Sequence, residues 1–180
     1  QLVAAGLAEA GLGPDPAAQA VVAAVGDPFQ ALSAGLLVGA ADGSQPLLLA
    51  GGSQMAAVLA LAMTASSEDA RKRLSERVML GTTVWLAEER FPGEDRPPLD
   101  RLIDALAARF GVGMVALSSG VRFHDSCHQQ LRDYENGYVK EGVGAGGLLL
   151  LAQLQGISPE DLQASCDEAM RALLEPPVTS

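Results

Sequence analysis

The sequence predicts an α/β protein, a parallel sheet flanked by helices with additional helices at its N- and C-terminal ends. Three short apolar runs, Pro46–Ala50, Thr82–Leu86 and Gly113–Leu117, are separated by segments of helical period. Strands alternating with helical crossovers imply parallel pairing with right-handed connections. Aromatic residues make up only 4% of the chain and the apolar positions are mostly Ala, Leu and Val. Such small side chains let helices approach one another, or a sheet, closely.

The elements follow in order from local chemistry. Leu2–Ala10 reads as a helix stopped by Gly11-Leu12-Gly13-Pro14. Asp15-Pro16 and Asp27-Pro28 each read as an N-cap followed by proline at the first helical position. The second of these starts a helix over Phe29–Ala40, and Asp42-Gly43 is a turn. Helices are expected over Gln54–Thr64, Glu68–Arg77 and Leu99–Phe110, the last ended by Gly111. Thr82–Leu86 is β-branched and aromatic, which favours a strand. His128–Tyr138 reads as helix, and Glu141–Gly147 as a Gly-rich turn into a helix over Leu148–Leu154. Ser158-Pro159 caps a last amphipathic helix to Leu174, which Pro176-Pro177 stops. The expected layout is one domain: a helical lead-in over 1–45, a sheet core over 46–120, and a Gly-rich segment with C-terminal helices over 121–180.

Composition excludes several function classes. The 180 residues carry 22 acidic and 12 basic side chains, a formal charge of −10. This balance lacks the basic face that nucleic-acid binding needs, and Arg71, Lys72, Arg73 and Arg77 read as a solvated helix face. Two cysteines, Cys127 and Cys166, make no disulfide framework and no CxxC zinc motif. The longest aliphatic run, Leu148–Ala152, is far below the roughly 20 residues that span a bilayer. A cytoplasmic protein with no membrane partner is expected. The chain opens at Gln1 inside an Ala/Leu pattern, which reads as the interior of a longer polypeptide.

In parallel α/β sheets ligands sit at the carboxyl ends of the strands. Those ends are 51–54, 87–90 and 118–125. Substrate contacts are therefore expected from Gly51, Gly52, Ser53 and Gln54, whose strand–turn–helix setting offers backbone N–H groups to a phosphate. They are expected also from Ser118, Ser119 and Gly120. Ser126 and His128 follow, as polar contacts to a phosphate. His124 and His128 are four apart, so a helix would put them on one face, but Asp125 and Cys127 would lie off it, and no metal is expected. Glu88-Glu89-Arg90 reads equally as a ligand edge or a solvated loop, and Asp133 and Glu135 as solvated. The densest anomaly is Tyr134–Gly147, with five glycines in the eleven positions from Gly137. Glycine costs about 1 kcal/mol against alanine inside a helix, more than packing alone explains. The stretch reads as a ligand loop with Glu141 as acid or base and Lys140, Gly142 and Gly144 beside it; a Gly-rich helix contact is the competing reading.

Leu131–Gly147 resembles the C-terminal signature of nicotinate-nucleotide–dimethylbenzimidazole phosphoribosyltransferase-related proteins of the archaeal/cyanobacterial type. Glu141-Gly142-Val143-Gly144-Ala145 matches the core of the Gly-Glu-Gly-x-Gly-Ala element, with Lys140 in place of the first Gly. Asp27-Pro28, Leu32 and Gly35, followed by Leu47–Ala50 and Gly51–Ala57, are similar to the family's central region, so the likeness covers 27–155. The resemblance implies a Rossmann-like, usually dimeric enzyme of cobalamin lower-ligand assembly, about twice as long as this chain. It implies phosphoribosyl transfer from nicotinate mononucleotide to a benzimidazole-type base, giving an α-ribazole 5′-phosphate, with Glu141 as general base and no cofactor. The family's other Gly-rich phosphate segment and part of its aromatic base pocket belong to the N-terminal half, and neither is found here. The alternative is a non-catalytic nucleotide-binding or regulatory module of the same fold; a helical interaction module is a weaker third.

Overall fold

The computed structural model describes residues 1–137 and 143–175. Three strands, β1 (Leu47–Ala50), β2 (Val78–Thr82) and β3 (Val115–Ser118), form one sheet in that order. Both pairings are parallel, with Leu49 opposite Leu80 and Gly81 opposite Leu117. Helices α1 (Leu2–Glu9), α2 (Ala18–Val25) and α3 (Pro28–Gly39) precede the sheet. The crossovers are α4 (Ser53–Ala65) with α5 (Glu68–Ser75), and a short turn α6 (Val84–Ala87) with α7 (Pro98–Phe110). Then come α8 (Gln129–Glu135), α9 (Val143–Leu154) and α10 (Pro159–Leu174). The α/β class read from the sequence is the one observed.

Two right-handed crossovers between successive neighbours put their helices on one face. There α4 and α7 pack Ala56, Leu99 and Ile103 against Leu80. Helix α3 covers α4 in turn, burying Leu37, Val58, Leu59, Ala62 and Met63. The other face holds α9, which crosses β1 and β2. Val115 and Leu117 share that face with Gly81 through the register and stay 52% and 40% exposed. Parallel sheets ordinarily bury both faces, so α9 covers this one only in part.

Local signals are confirmed where they are self-contained. Asp27 caps α3, accepting from the Gln30 N–H at 2.9 Å, and Ser158 caps α10, accepting from Asp161 N–H at 3.0 Å. Gly111 ends α7 at φ 66°, a conformation glycine tolerates. Asp15 does not cap α2; that helix begins two residues beyond Pro16, after Ala17, with no side-chain cap.

The second strand is the main correction. It runs over Val78–Thr82, not Thr82–Leu86, and Val84–Ala87 is helical. Two local facts explain the shift. Val78-Met79-Leu80 is itself an apolar run that pairs with β1, and Thr83 Oγ1 accepts the Leu86 N–H at 3.4 Å, as an N-cap. Capping overrides the β-propensity of Thr-Thr-Val-Trp-Leu. The basic residues around α5 are also committed rather than merely solvated. Arg77 donates to the carbonyls of Ala40 and Ala41 at 2.6 and 2.9 Å, and Arg71 to Met63 O at 2.6 Å. Arg73 pairs with Asp42 and Lys72 with Glu68.

Candidate functional site

Two adjoining hollows open at the carboxyl ends of the strands. The first, about 320 Å³, lies between Trp85 and Glu88 on one side and Arg122, Tyr134 and Glu135 on the other. The second, about 640 Å³, lies over Gly51, Gly52, Ser53 and Gln54. Leu86 and Val143 line both, so the two hollows meet across these side chains. A larger hollow of about 880 Å³ between α2, α3 and α4 is lined mostly by apolar residues, with Gln19 and Thr64 among them, and its one ionisable residue, Asp27, is engaged in capping α3.

The second hollow is built by the turn from β1 into α4. Gly51 N–H extends the ladder to Gly81 O at 2.8 Å, and Gly52 is the N-cap residue of α4. A Cβ at Gly52 would sit 2.3 Å from Leu86 Cδ2, so a larger residue would push the side chain that divides the hollows. No side chain caps α4; the Met55 N–H turns back to Gly52 O at 3.0 Å, which leaves the Ser53 and Gln54 N–H groups of the first turn for a ligand or water.

The first hollow has an aromatic and an acidic side. Trp85 stacks on Phe123 at 5.3 Å and tilts against Tyr134 at 5.1 Å. The Trp85 indole N–H is shut off from solvent with no partner among the described residues. Glu135 is only 8% exposed at its side chain, against the expectation of a solvated residue. Its Oε1 accepts the Phe123 N–H at 2.5 Å, and its Oε2 lies 3.5 Å from Arg122 Nη1 and 3.4 Å from His124 Nε2. Arg122 also pairs with Glu88. Burial works against the Arg122 charge, but the carboxylates of Glu88 and Glu135 outweigh it and raise the guanidinium pKa. Truncating Glu135 to alanine strands the Phe123 N–H and half of Arg122. A stability loss of about 2–3 kcal/mol in urea unfolding is expected.

Several expected contacts point elsewhere. Ser118, Ser119 and Gly120 lie outside both hollows. Ser119 is fully buried, its N–H bonded to Thr82 O at 2.9 Å, and the Gly120 N–H is taken by Gln153 Oε1 at 2.9 Å. Ser126 and His128 turn toward α10, where Ser126 Oγ donates to Asp167 at 2.5 Å. Gly144 borders the second hollow, but Gly146 and Gly147 serve packing. A Cβ at Gly146 would lie 2.2 Å from Thr83 N, and one at Gly147 would lie 2.6 Å from Ala50 Cβ. The turn expected over Glu141–Gly147 is helical from Val143 onward. Lys140, Glu141 and Gly142 lie outside the described residues, whereas Gly137 and Val143, on either side of them, line the first hollow.

Sequence reasoning missed Trp85, Tyr134 and Arg122. Trp85 was the available signal: it is the chain's one tryptophan, and placing the strand four residues earlier would have put it at the ligand edge. The aromatic wall of this hollow is assembled from three separate segments, with Phe123 packed behind Trp85 and Tyr134. The thiols also differ. Cys127 is exposed, while burial, then the neighbouring Asp167 charge, pushes the Cys166 thiol up. A raised pKa leaves Cys166 less thiolate at any mildly alkaline pH. A disulfide reagent should therefore modify Cys127 first, read by peptide mapping.

The fold is that of a parallel α/β protein with a cleft at its strand ends. No family model matches the chain. It is similar to a UPF0284 protein of Prochlorococcus marinus MIT 9313, at 53% identity over 97% of this chain and 43% of the relative. A UPF0284 protein of Parasynechococcus marenigrum is 55% identical over 99% of this chain and 45% of the relative. One from Gloeobacter violaceus is 43% identical over 93% of this chain and 42% of the relative. The chain thus spans less than half the length of these curated relatives. Their names correct the family expected from the Gly-rich signature: they are UPF0284 proteins, a distinct family not named as phosphoribosyltransferases. No helix among the described residues is long and apolar enough to cross a membrane.

Proposed function

We propose that the cleft carries out phosphoribosyl transfer, from nicotinate mononucleotide to a benzimidazole-type base. One observation carries this reading: a glycine-and-helix-N-terminus hollow meets an aromatic, carboxylate-lined hollow at Leu86 and Val143. The glycine hollow suits a phosphate monoester, which an acidic chain must hold with backbone N–H groups. The aromatic hollow suits a flat heteroaromatic ring laid against the wall that Trp85 and Tyr134 form.

In the reaction, the Glu141 carboxylate takes the N–H proton of the azole, and the ring's other nitrogen attacks C1′ of the ribose. The C1′–N bond to nicotinate breaks, and its electron pair neutralises the pyridinium as nicotinate leaves. The products are nicotinate and an α-ribazole 5′-phosphate. Base catalysis of this kind contributes about 10²–10⁴-fold. The role of base falls to Glu141 from the Gly-rich signature in the sequence; what supports it is that Gly137 and Val143, the described residues on either side of that segment, line the first hollow. A cytoplasmic homodimer belongs to the same proposal.

The test is to incubate the protein with nicotinate mononucleotide and a panel of benzimidazoles and purines. Chromatography should show nicotinate and the ribazole phosphate appearing in equal amounts. Nicotinate mononucleotide left intact with every base, by the full-length protein as well as by this chain, rejects the reading.

A further inference from the structure

Away from the cleft, the loop after β3 and helix α10 bring together three side chains of different ligand chemistry. One donor atom each from Cys127, His128 and Asp167 lies within 4.8 Å of the others. The ligand atoms of a tetrahedral zinc site stand about 3.5 Å apart, so small rotamer changes close the set.

Three further features favour a metal over a chance cluster. His128 Nε2 is shut off from solvent and has no hydrogen-bond partner among the described residues. A buried ring nitrogen without a partner is uncommon in a folded protein, and a metal ion is one thing that satisfies it. Ser126 Oγ donates to Asp167 Oδ1 at 2.5 Å and accepts the His128 N–H at 3.1 Å. One hydroxyl thus fixes the carboxylate and the histidine backbone together, as outer partners of metal ligands do. Arg132, the nearby cation, is turned to Ser126 O at 2.5 Å and Gln129 Oε1 at 2.8 Å.

The donor set selects the ion. Calcium and magnesium take oxygen ligands, whereas a thiolate, an imidazole and a carboxylate together suit zinc. We propose that Cys127, His128 and Asp167 bind one zinc ion, with water in the fourth position. The ion clips α10 to the loop that carries Arg122 and Phe123 to the cleft. It is independent of the transfer reaction and participates in none of its steps.

Cobalt(II), which reports zinc sites by absorption, provides the test. The chain is stripped with a chelator, kept reduced and titrated. One equivalent should raise a near-ultraviolet thiolate-to-cobalt band, which zinc then abolishes. Cys127→Ser should remove the band, Asp167→Asn should weaken binding tenfold or more, and Cys166→Ser should leave the band intact. Cys127 is exposed, so its serine variant should fold, as circular dichroism checks. Zinc should raise Tm in the wild type and not in Cys127→Ser. A missing band, or one that survives Cys127→Ser, overturns the site.

Discussion

Replacing Gly146 by valine is expected to destabilise the fold by about 3 kcal/mol or more. Even the first added carbon would lie 2.2 Å from Thr83 N and 2.3 Å from Thr82 C, both backbone atoms of the strand end. Neither can rotate away, so α9 must lift from the sheet. It would then lose the contact in which Gly147 meets Gly81 and Leu150 covers β2. Overpacking usually costs about 1–3 kcal/mol, and with backbone on both sides the upper end or beyond is expected. Gly144→Ala is the control. Its nearest neighbour would be Ala50 O at 3.4 Å, an ordinary contact. Alanine is also the better helix former, by less than the interior value in a first turn, so Gly144→Ala should be neutral or stabilising. Urea unfolding of the two variants separates them. Equal losses would mean that α9 does not sit on the sheet through Gly146.

Glu141→Gln is expected to lower the rate of nicotinate release by about 10²–10⁴-fold with little change in KM. Glutamine keeps the shape and removes the proton acceptor, so ground-state binding persists while the step that sharpens the azole is lost. Glu135→Gln should behave differently. That carboxylate is already engaged by the Phe123 N–H and Arg122, and its loss should lower stability before it lowers rate. An unchanged rate in Glu141→Gln would remove Glu141 from the role of base.

The contrast between these glutamates shows what a sequence can carry. Asp27 and Ser158 are legible because a cap needs only the three or four residues beside it. The register of β2 is not, because Val78–Thr82 and Thr82–Leu86 are both plausible strands until pairing with β1 and the Thr83 cap decide. Gly51–Gln54 is legible as a strand–turn–helix, and it lines the cleft. Glu135 reads as solvated because its burial comes from Phe123 and Arg122, on a loop that returns from β3. The glycines after Gly142 are ambiguous in the sequence: close approach to a ligand and close approach to a sheet call for the same residue. Gly144 meets the hollow and Gly146 meets the strand, a distinction set by helical phase once α9 begins at Val143. Ser126 and His128 were expected at a substrate, and only the position of α10 redirects them to Asp167.

The central claim is that the two hollows form one site. Trp85, the chain's single tryptophan, stands in the wall of the first, so its fluorescence reports on the cleft alone. Titrating nicotinate mononucleotide and, separately, a benzimidazole should each give a saturable change. Ser53→Glu adds a negative charge to the exposed first turn of α4, over the second hollow. An acidic residue there suits the helix but repels a phosphate. It should weaken the nucleotide tenfold or more and leave the benzimidazole response intact. No response to either ligand, or equal nucleotide affinity in Ser53→Glu, would contradict the account.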